Sequence, residues 1–146
     1  SGSLFWPAWL RAAGMRVGPG CEISTLVDLP PRMVSVGRDV FCADGIYLAC
    51  PEIHPGSVRL GAVSIGRDSF FGNHAVVPAG TSLPPEILLG VCTPADPERI
   101  VAGSSWFGLP AFPLPRREVV AADRSVTHRP GPARFATRLF WETLRV

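Results

Sequence analysis

An apolar residue recurs at every sixth position through the middle of this sequence. The clearest run is Ile65, Phe71, Val77, Leu83 and Leu89, and each is followed by glycine or proline. A period of six fits neither the 3.6-residue repeat of a helix nor the two-residue alternation of a half-buried strand. One short strand and one turn in every six residues do explain it, with the apolar residue pointing inward and the small residue permitting the turn.

The same pattern extends towards the N-terminus. Residues 36–41 and 65–70 are near-copies, VGRDVF and IGRDSF. We call each six-residue repeat a hexad, and small residues stand at the fifth position of three later hexads. The earlier apolar positions are Val17, Ile23, Val36, Cys42 and Leu48. Three hexads would close one triangular coil, and stacked coils bury a continuous apolar column. The sequence therefore predicts an all-β coil, and the alternative is a chance run of glycine and valine in a β-sandwich.

Composition limits the class of protein further. The 15 glycines and 16 prolines among 146 residues argue against a helical bundle. With 47% hydrophobic and 18% charged residues, the chain is not of the disordered class, and its length fits one domain. No apolar stretch approaches the ~18 residues of a membrane-spanning helix, and we expect no signal peptide.

Charge and cysteine spacing narrow the possible partners. Residues 1–115 hold 7 arginines and 9 acidic residues, whereas residues 116–146 hold 7 arginines and 3 acidic residues. The body of the chain is therefore not expected to bind nucleic acid. The four cysteines, which lack the spacing of a metal site, are expected to be reduced and mostly buried as small apolar residues. They are Cys21, Cys42, Cys50 and Cys92.

Breaks in the hexad pattern divide the chain into segments. Residues 1–3 are interpreted as a tag remnant and residues 4–16 as an aromatic lead-in. The coil is predicted over 17–98, with an external loop at 51–64 because two prolines interrupt the pattern there. Residues 99–133 are predicted to form an extended arm and linker, and residues 134–146 an amphipathic helix.

The predicted C-terminal helix has two interpretations. Its apolar residues Phe135, Leu139, Phe140 and Leu144 follow helical spacing, with arginines on the other face. It could lie along an anionic membrane surface beside a membrane-spanning segment, where each arginine contributes about 1 kcal/mol. It could instead cap the open end of the coil.

The apolar residues six positions apart form a ladder over about residues 17–89, and we call each of them a rung. This pattern resembles that of the hexapeptide-repeat acyltransferases. That resemblance implies a left-handed parallel β-helix. Proteins of this family are usually trimers with active sites between subunits.

A more specific resemblance covers nearly all of residues 5–146. The stretches WPAWL at 6–10, FGNHAVVPAG at 71–80 and GSSWFG at 103–108 are similar to the C-terminal repeats of ε-poly-L-lysine synthetase-like proteins. Those are membrane-embedded relatives of nonribosomal peptide synthetases, with an adenylation domain, a thiolation domain, membrane helices and three tandem soluble domains. The resemblance implies a soluble fragment of an integral membrane protein, at the cytoplasmic face of the cell membrane.

This resemblance also implies the partners of the chain. They are sister tandem domains forming a pseudo-trimer (or a homo-oligomer of the isolated chain), a carrier domain, an amino-acid or peptide amine as acceptor, and adjacent membrane helices outside the fragment. No cofactor would bind directly, because the aminoacyl donor would be presented on the phosphopantetheine arm of the carrier domain.

Two histidines are candidate catalytic residues. In galactoside-type acetyltransferases a histidine in the loop that leaves the coil acts as general base, and the resemblance assigns this role to His54. It lies about one residue later than in that pattern, and Gly45 occupies the place of an asparagine. His74 follows a rung at a position expected to face outward, where it could line a cleft between neighbouring domains. His128 lies in the linker and is expected to be inert.

Three polar residues are candidate substrate contacts. Asp44 and Glu52 precede His54 in the sequence and could bind a cationic acceptor or orient an imidazole. Asn73 stands beside His74 and offers an amide donor and acceptor. We find no serine-nucleophile motif around Ser104 and Ser105 and no metal motif.

The leading hypothesis is an acyltransferase-like domain that supports amide-bond formation between an aminoacyl thioester and an amine. The alternative is a non-catalytic scaffold that packs with sister domains and docks the carrier domain. A free-standing acetyltransferase that uses coenzyme A ranks last, because only Arg67 and Arg99 offer basic contacts late in the coil.

Overall fold

The computed structural model describes residues 5–115 and 131–144. The helices are α1 (Trp6–Ala12), α2 (Pro132–Thr143) and a single 3-10 turn (Pro31–Met33). The strands are β1 (Arg16–Val17), β2 (Glu22–Ile23), β3 (Leu26–Val27), β4 (Val34–Val36), β5 (Phe41–Cys42), β6 (Ile46–Cys50), β7 (Glu52–His54), β8 (Ser57–Arg59), β9 (Val63–Ile65), β10 (Phe70–Phe71), β11 (Val76–Pro78), β12 (Ser82–Leu83), β13 (Leu88–Leu89), β14 (Ser105–Phe107) and β15 (Phe112–Pro113).

Apart from the pair β7-β8, the strands of residues 5–115 are distributed over three mainly parallel sheets. The first sheet has the order β1-β4-β9-β12, the second β2-β5-β10-β13-β14-β15, and the third β3-β6-β11. The chain visits the first, second and third sheet in turn and then begins the next coil. This path is the topology of a three-sided parallel β-helix, as the six-residue period predicts. The left hand of the coil stays a prediction.

The predicted apolar ladder forms the core. Phe71, Val77 and Leu89 are fully buried, and Ile65 and Leu83 are at most 4% exposed. The small residues at the fifth position of the hexads are buried as well, and they are Ser69, Ala75 and Thr81. The prediction that side chains six apart point into one column is confirmed.

The glycines that follow the rungs serve a different purpose from the one expected. Positive φ values at the corners fall on residues such as Asp39 (54°) and Asp68 (55°), and not on Gly37 or Gly66. A Cβ added to Gly37 would lie 2.7 Å from the backbone nitrogen of Arg67 in the next coil. These glycines are therefore needed because successive coils approach closely there, and not to permit the turn.

The segment predicted as a loop at 51–64 is an ordered hairpin. Strands β7 and β8 pair antiparallel, with Ile53 opposite Val58 and His54 opposite Ser57, and every residue of both strands is exposed. The chain rejoins the first sheet at Val63, where β9 begins. Antiparallel pairing across the Pro55–Gly56 turn satisfies backbone groups that would otherwise be left outside the coil.

Both ends of the coil differ from the expectation. Helix α1 lies in the segment predicted only as a lead-in, and it buries Leu10 at the first coil. At the other end the coil continues beyond residue 98, because β14 extends the second sheet and places Trp106 next to Leu89 in the register. Arg99 lies over the Trp106 ring at 4.8 Å.

Helix α2 belongs to a second unit, residues 116–146. It begins at Pro132, two residues before the predicted start, since proline suits the first turn of a helix. The apolar residues predicted to share a face, Phe135, Leu139, Phe140 and Leu144, are exposed. Residues 1–4, 116–130 and 145–146 lie outside the described residues. They include the predicted tag remnant, His128 and the last two positions of the predicted helix. In the described ranges, no helix has the length and apolar character needed to cross a bilayer.

The four cysteines are free, but the expectation that most are buried is wrong. Only Cys42 is fully buried, and Cys92 is exposed at a corner of the coil. Burial raises the pKa of the Cys42 thiol to about 12. A thiol with this pKa is a poor nucleophile at neutral pH.

Two adjacent phenylalanines of β10 test the apolar column. We expect Phe71→Ala to lower the free energy of unfolding by about 3–5 kcal/mol, because it leaves a cavity in the core. Phe70→Ala removes the same side chain from the outer face, where it stacks on Phe41, and should cost about 1 kcal/mol. Urea denaturation followed by circular dichroism measures both; equal losses would contradict an inward Phe71 and an outward Phe70.

Candidate functional site

The corner between the second and third sheets brings together residues from successive coils. Strand register places Cys42 beside Phe71 and Phe71 beside Leu89, so the residues that follow these rungs stack above one another. Three of them adopt left-handed backbone conformations, namely Gly45 (φ 69°), His74 (φ 57°) and Cys92 (φ 54°). Side chains at this corner point away from the core, and those of Asp44, Asn73 and His74 are exposed. We call residues 24, 25, 44, 45, 73 and 74 the corner site.

Asp44 is held by hydroxyl groups of the preceding coil. The Ser24 hydroxyl donates a short hydrogen bond to Oδ1 of Asp44, and the Thr25 hydroxyl lies 3.5 Å from the same oxygen. The hydrogen bond from Ser24 is the main cause that lowers the pKa of the Asp44 carboxyl, with smaller contributions that include Thr25 and the nearby His74. The carboxylate is therefore charged at neutral pH and faces solvent.

Asn73 joins the corner to the coils on either side. Its Oδ1 accepts a hydrogen bond from the backbone N–H of Asp44 at 3.1 Å. Its backbone carbonyl accepts another from the N–H of Cys92 at 2.9 Å, and the N–H of His74 donates to the carbonyl of Asp44 at 3.0 Å. These bonds fix the backbone at positions 44, 73 and 74.

The imidazole of His74 occupies the space above Gly45. A Cβ built on Gly45 would lie 2.5 Å from Nδ1 of His74 and 2.6 Å from its Cε1. The ring therefore reaches across to the coil that carries Asp44. An exposed imidazole beside a carboxylate can accept a proton from a substrate amine, while the carboxylate attracts a cationic group.

His54 and Glu52 are placed elsewhere. Both lie on the exposed hairpin, where Glu52 pairs with Arg59 at 3.4 Å. The hairpin leaves the coil at the far end of β6, whereas His74 precedes β11 at the near end of the third sheet. Five residues of strand span about 13 Å. The structure thus brings Asp44, Asn73 and His74 together and does not bring His54 or Glu52 to the same corner.

Sequence reasoning missed Ser24, Thr25 and Cys92. A signal was present for two of them, because Thr25 follows Ile23 as Asp44 follows Cys42, and Cys92 follows Leu89 as His74 follows Phe71. Ser24 directly precedes Thr25. Aligning the coils in register would have placed them in one column. Within the described ranges, no group of three histidine, cysteine or acidic side chains is arranged to hold a metal ion.

The comparisons with known proteins agree with this fold. No family model matches the chain. The sequence is 38% identical over 148 residues to the delta-poly-L-ornithine synthetase of Acinetobacter baumannii (strain AB307-0294), a match that covers 99% of this chain and 11% of that protein. The chain thus spans about a tenth of the length of this relative.

Solved structures show the same architecture. A maltose O-acetyltransferase from Clostridium difficile 630 aligns with a TM-score of 0.59 and 18% identity, over 73% of this chain and 60% of that one. The chain therefore shares the fold of this acetyltransferase over most of its length. AntD, an N-acyltransferase from Bacillus cereus, aligns over both full lengths with a TM-score of 0.44 and 13% identity.

The hydroxyl group of Ser24 offers a direct test of the corner site. We expect Ser24→Ala to raise the pKa of the Asp44 carboxyl towards its ordinary value, because the largest stabilising hydrogen bond is lost. In the unaltered chain, the lowered pKa of Asp44 contributes to the stability of the fold. This contribution is fully present above about pH 4 and is lost as the pH falls through the lowered pKa. NMR titration of the Asp44 carboxyl carbon measures the change.

Ser82→Ala is the matched control. Ser82 is exposed, and its hydroxyl pairs with that of Ser64 on the first sheet instead of with a carboxylate. It should leave the titration of Asp44 unaltered. The same Asp44 midpoint in the Ser24→Ala variant and the unaltered chain would contradict the described network.

Proposed function

We propose that this chain is an aminoacyl-transfer domain of a poly-amino-acid synthetase, and that the corner site receives the amine acceptor. The observation that carries the proposal is the contact of an exposed imidazole, His74, with the coil that bears the ionised Asp44. Similarity to a poly-ornithine synthetase and to an acetyltransferase fold supports the reaction class. In this proposal the coil is left-handed and the parent protein is a membrane-bound relative of the nonribosomal peptide synthetases.

The acceptor in this proposal is a basic amino acid or the end of a growing chain of them. Such a substrate carries two amines, and one remains a cation while the other reacts. The Asp44 carboxylate suits the cationic amine, since its pKa is lowered and its oxygens face solvent. The Asn73 amide oxygen accepts a hydrogen bond from the backbone N–H of Asp44 and so fixes the backbone that carries the carboxylate.

The reaction step transfers one acyl group and one proton. The neutral amine nitrogen of the acceptor attacks the carbonyl carbon of the aminoacyl thioester, and His74 accepts the proton that the nitrogen releases. The carbon–sulfur bond then breaks, an amide remains, and the thiolate of the phosphopantetheine arm takes a proton from the imidazolium. No covalent intermediate on the chain is needed.

His54 and Glu52 keep a separate proposed role. They extend from the coil on an exposed hairpin, so they would act at a site shared with a sister domain, or with a second copy of the isolated chain. The membrane context is also part of the proposal. Arg134 and Arg138 accompany the exposed apolar residues of α2, a combination that suits an anionic lipid surface.

The scaffold function has a specific observation in its favour. Phe41 and Phe70 stack at 5.0 Å with an interplanar angle of 4° on the outer face of the second sheet, and each is more than a third exposed. Ile53 and Val58 on the hairpin are exposed as well. Apolar residues grouped on an outer surface favour docking of a partner protein.

Histidine variants of the full-length protein separate these functions. We expect His74→Ala to lower the rate of amide formation by at least about 100-fold, which is the usual contribution of a general base. His54→Ala is the comparison and should have a smaller effect. The measurement follows product released from a carrier domain loaded with the radiolabelled amino acid.

The pattern of losses identifies the function. If only His54→Ala lowered the rate of amide formation, the general base would lie on the hairpin and the proposed role of the corner site would be wrong. Undiminished product with both variants, together with loss in the Phe41→Ala and Phe70→Ala double variant, would establish the scaffold function instead.

A further inference from the structure

Gly45 is one of the closely packed glycines beside which a side chain, and not the backbone of the next coil, fills the space. At Gly18, Gly37 and Gly66 an added Cβ would collide with backbone atoms of the next coil. At Gly45 the colliding atoms belong to the imidazole of His74, with Nδ1 at 2.5 Å and Cε1 at 2.6 Å. The missing side chain at position 45 therefore makes room for a ring and not for the approach of two backbones.

The described interactions of the His74 ring are its electrostatic interaction with the Asp44 carboxylate and its close approach to Gly45. Its backbone N–H is bonded to the Asp44 carbonyl, so its Cα is fixed, but no described hydrogen bond joins the imidazole to a neighbour. Its direction depends on which rotamers the adjacent coil leaves open. The gap at Gly45 leaves open the rotamer that points towards the coil of Asp44.

We infer that Gly45 is a positioning residue for His74: because position 45 carries no side chain, the imidazole has room to lie at the corner site. The inference rests on the proposed function for its effect on catalysis. Its structural part concerns this chain alone. Any residue larger than glycine at this position would turn the ring away from Asp44.

Gly80 supplies a matched control. Gly45 and Gly80 have similar backbone conformations, with φ values of 69° and 75°, so alanine carries a comparable left-handed strain at either position. A Cβ on Gly80 would meet nothing within 4 Å. A difference between Gly45→Ala and Gly80→Ala therefore reports the collision with His74 and not the strain.

The first measurement uses the 146-residue chain. The Cε1–Hε1 signal of His74 is assigned by NMR in the unaltered chain and in both glycine variants. We expect Gly45→Ala to shift this signal and to remove nuclear Overhauser effects between the ring and residue 45. Gly80→Ala should leave both unaltered. If the His74 signal is unshifted in the Gly45→Ala chain and the nuclear Overhauser effects between the ring and residue 45 are retained, the inference is wrong.

The second measurement is a double-mutant cycle in the full-length protein. We expect Gly45→Ala to lower the rate of amide formation by about tenfold or more, because a displaced base transfers protons poorly, and Gly80→Ala to leave it unaltered. Adding Gly45→Ala to His74→Ala should cause no further loss, since the glycine acts through the histidine. If Gly45→Ala lowered the rate of the His74→Ala variant by the same factor as that of the unaltered protein, the inference would be wrong.

The two measurements distinguish failure of the inference from failure of the proposed function. If His74→Ala itself leaves the rate unaltered, the proposed function is wrong. The NMR comparison of Gly45→Ala with Gly80→Ala then still decides whether residue 45 positions the ring. A shifted ring supports the inference, and an unmoved ring contradicts it.

Discussion

Burial of a single apolar column holds the coil together. Most strands contain only two or three residues, too few to be stable as isolated pairs. The short strands of the coil are held because an inward side chain, such as Phe71, Val77 or Leu89, is covered by the adjacent coils. Hydrogen bonding brings adjacent coils to about 4.8 Å. That spacing requires glycine where backbones meet, as at Gly37.

The same stacking creates the corner site. The hydrogen bonds of the site join residues 20 positions apart, Ser24 and Asp44, and 29 positions apart, Asp44 and Asn73. At Gly45, His74 and Cys92 the corner turns through a left-handed residue, so the flanking side chains point outward and align along the coil axis. A set of polar groups can therefore form at a corner without interrupting the apolar column. The corner also explains why Gly45 and His74, in different coils, share one space.

Prediction from the sequence succeeded for the column and failed at its ends. The ladder residues were identified because each occupies an equivalent position in a local repeat. Trp106 was missed because it lies one residue out of phase with Leu89, its neighbour in the second sheet. Helix α1 was missed because its seven residues are stabilised by packing of Leu10 on the first coil, and a segment this short has little helical preference of its own. Of the five candidate site residues, Asp44, Asn73 and His74 share one site, and the hairpin carries the other two away from it.

The sequence by itself determined that an apolar column forms, since a period of six is a property of neighbouring residues and survives insertions outside the repeat. It also determined which residues interrupt the coil, through the prolines around 51–55. Only the tertiary structure decided which polar side chains meet. The hairpin adds residues between coils, so sequence distance no longer indicates register, and strand pairing alone sets Asp44 beside Asn73 and Gly45 beneath His74.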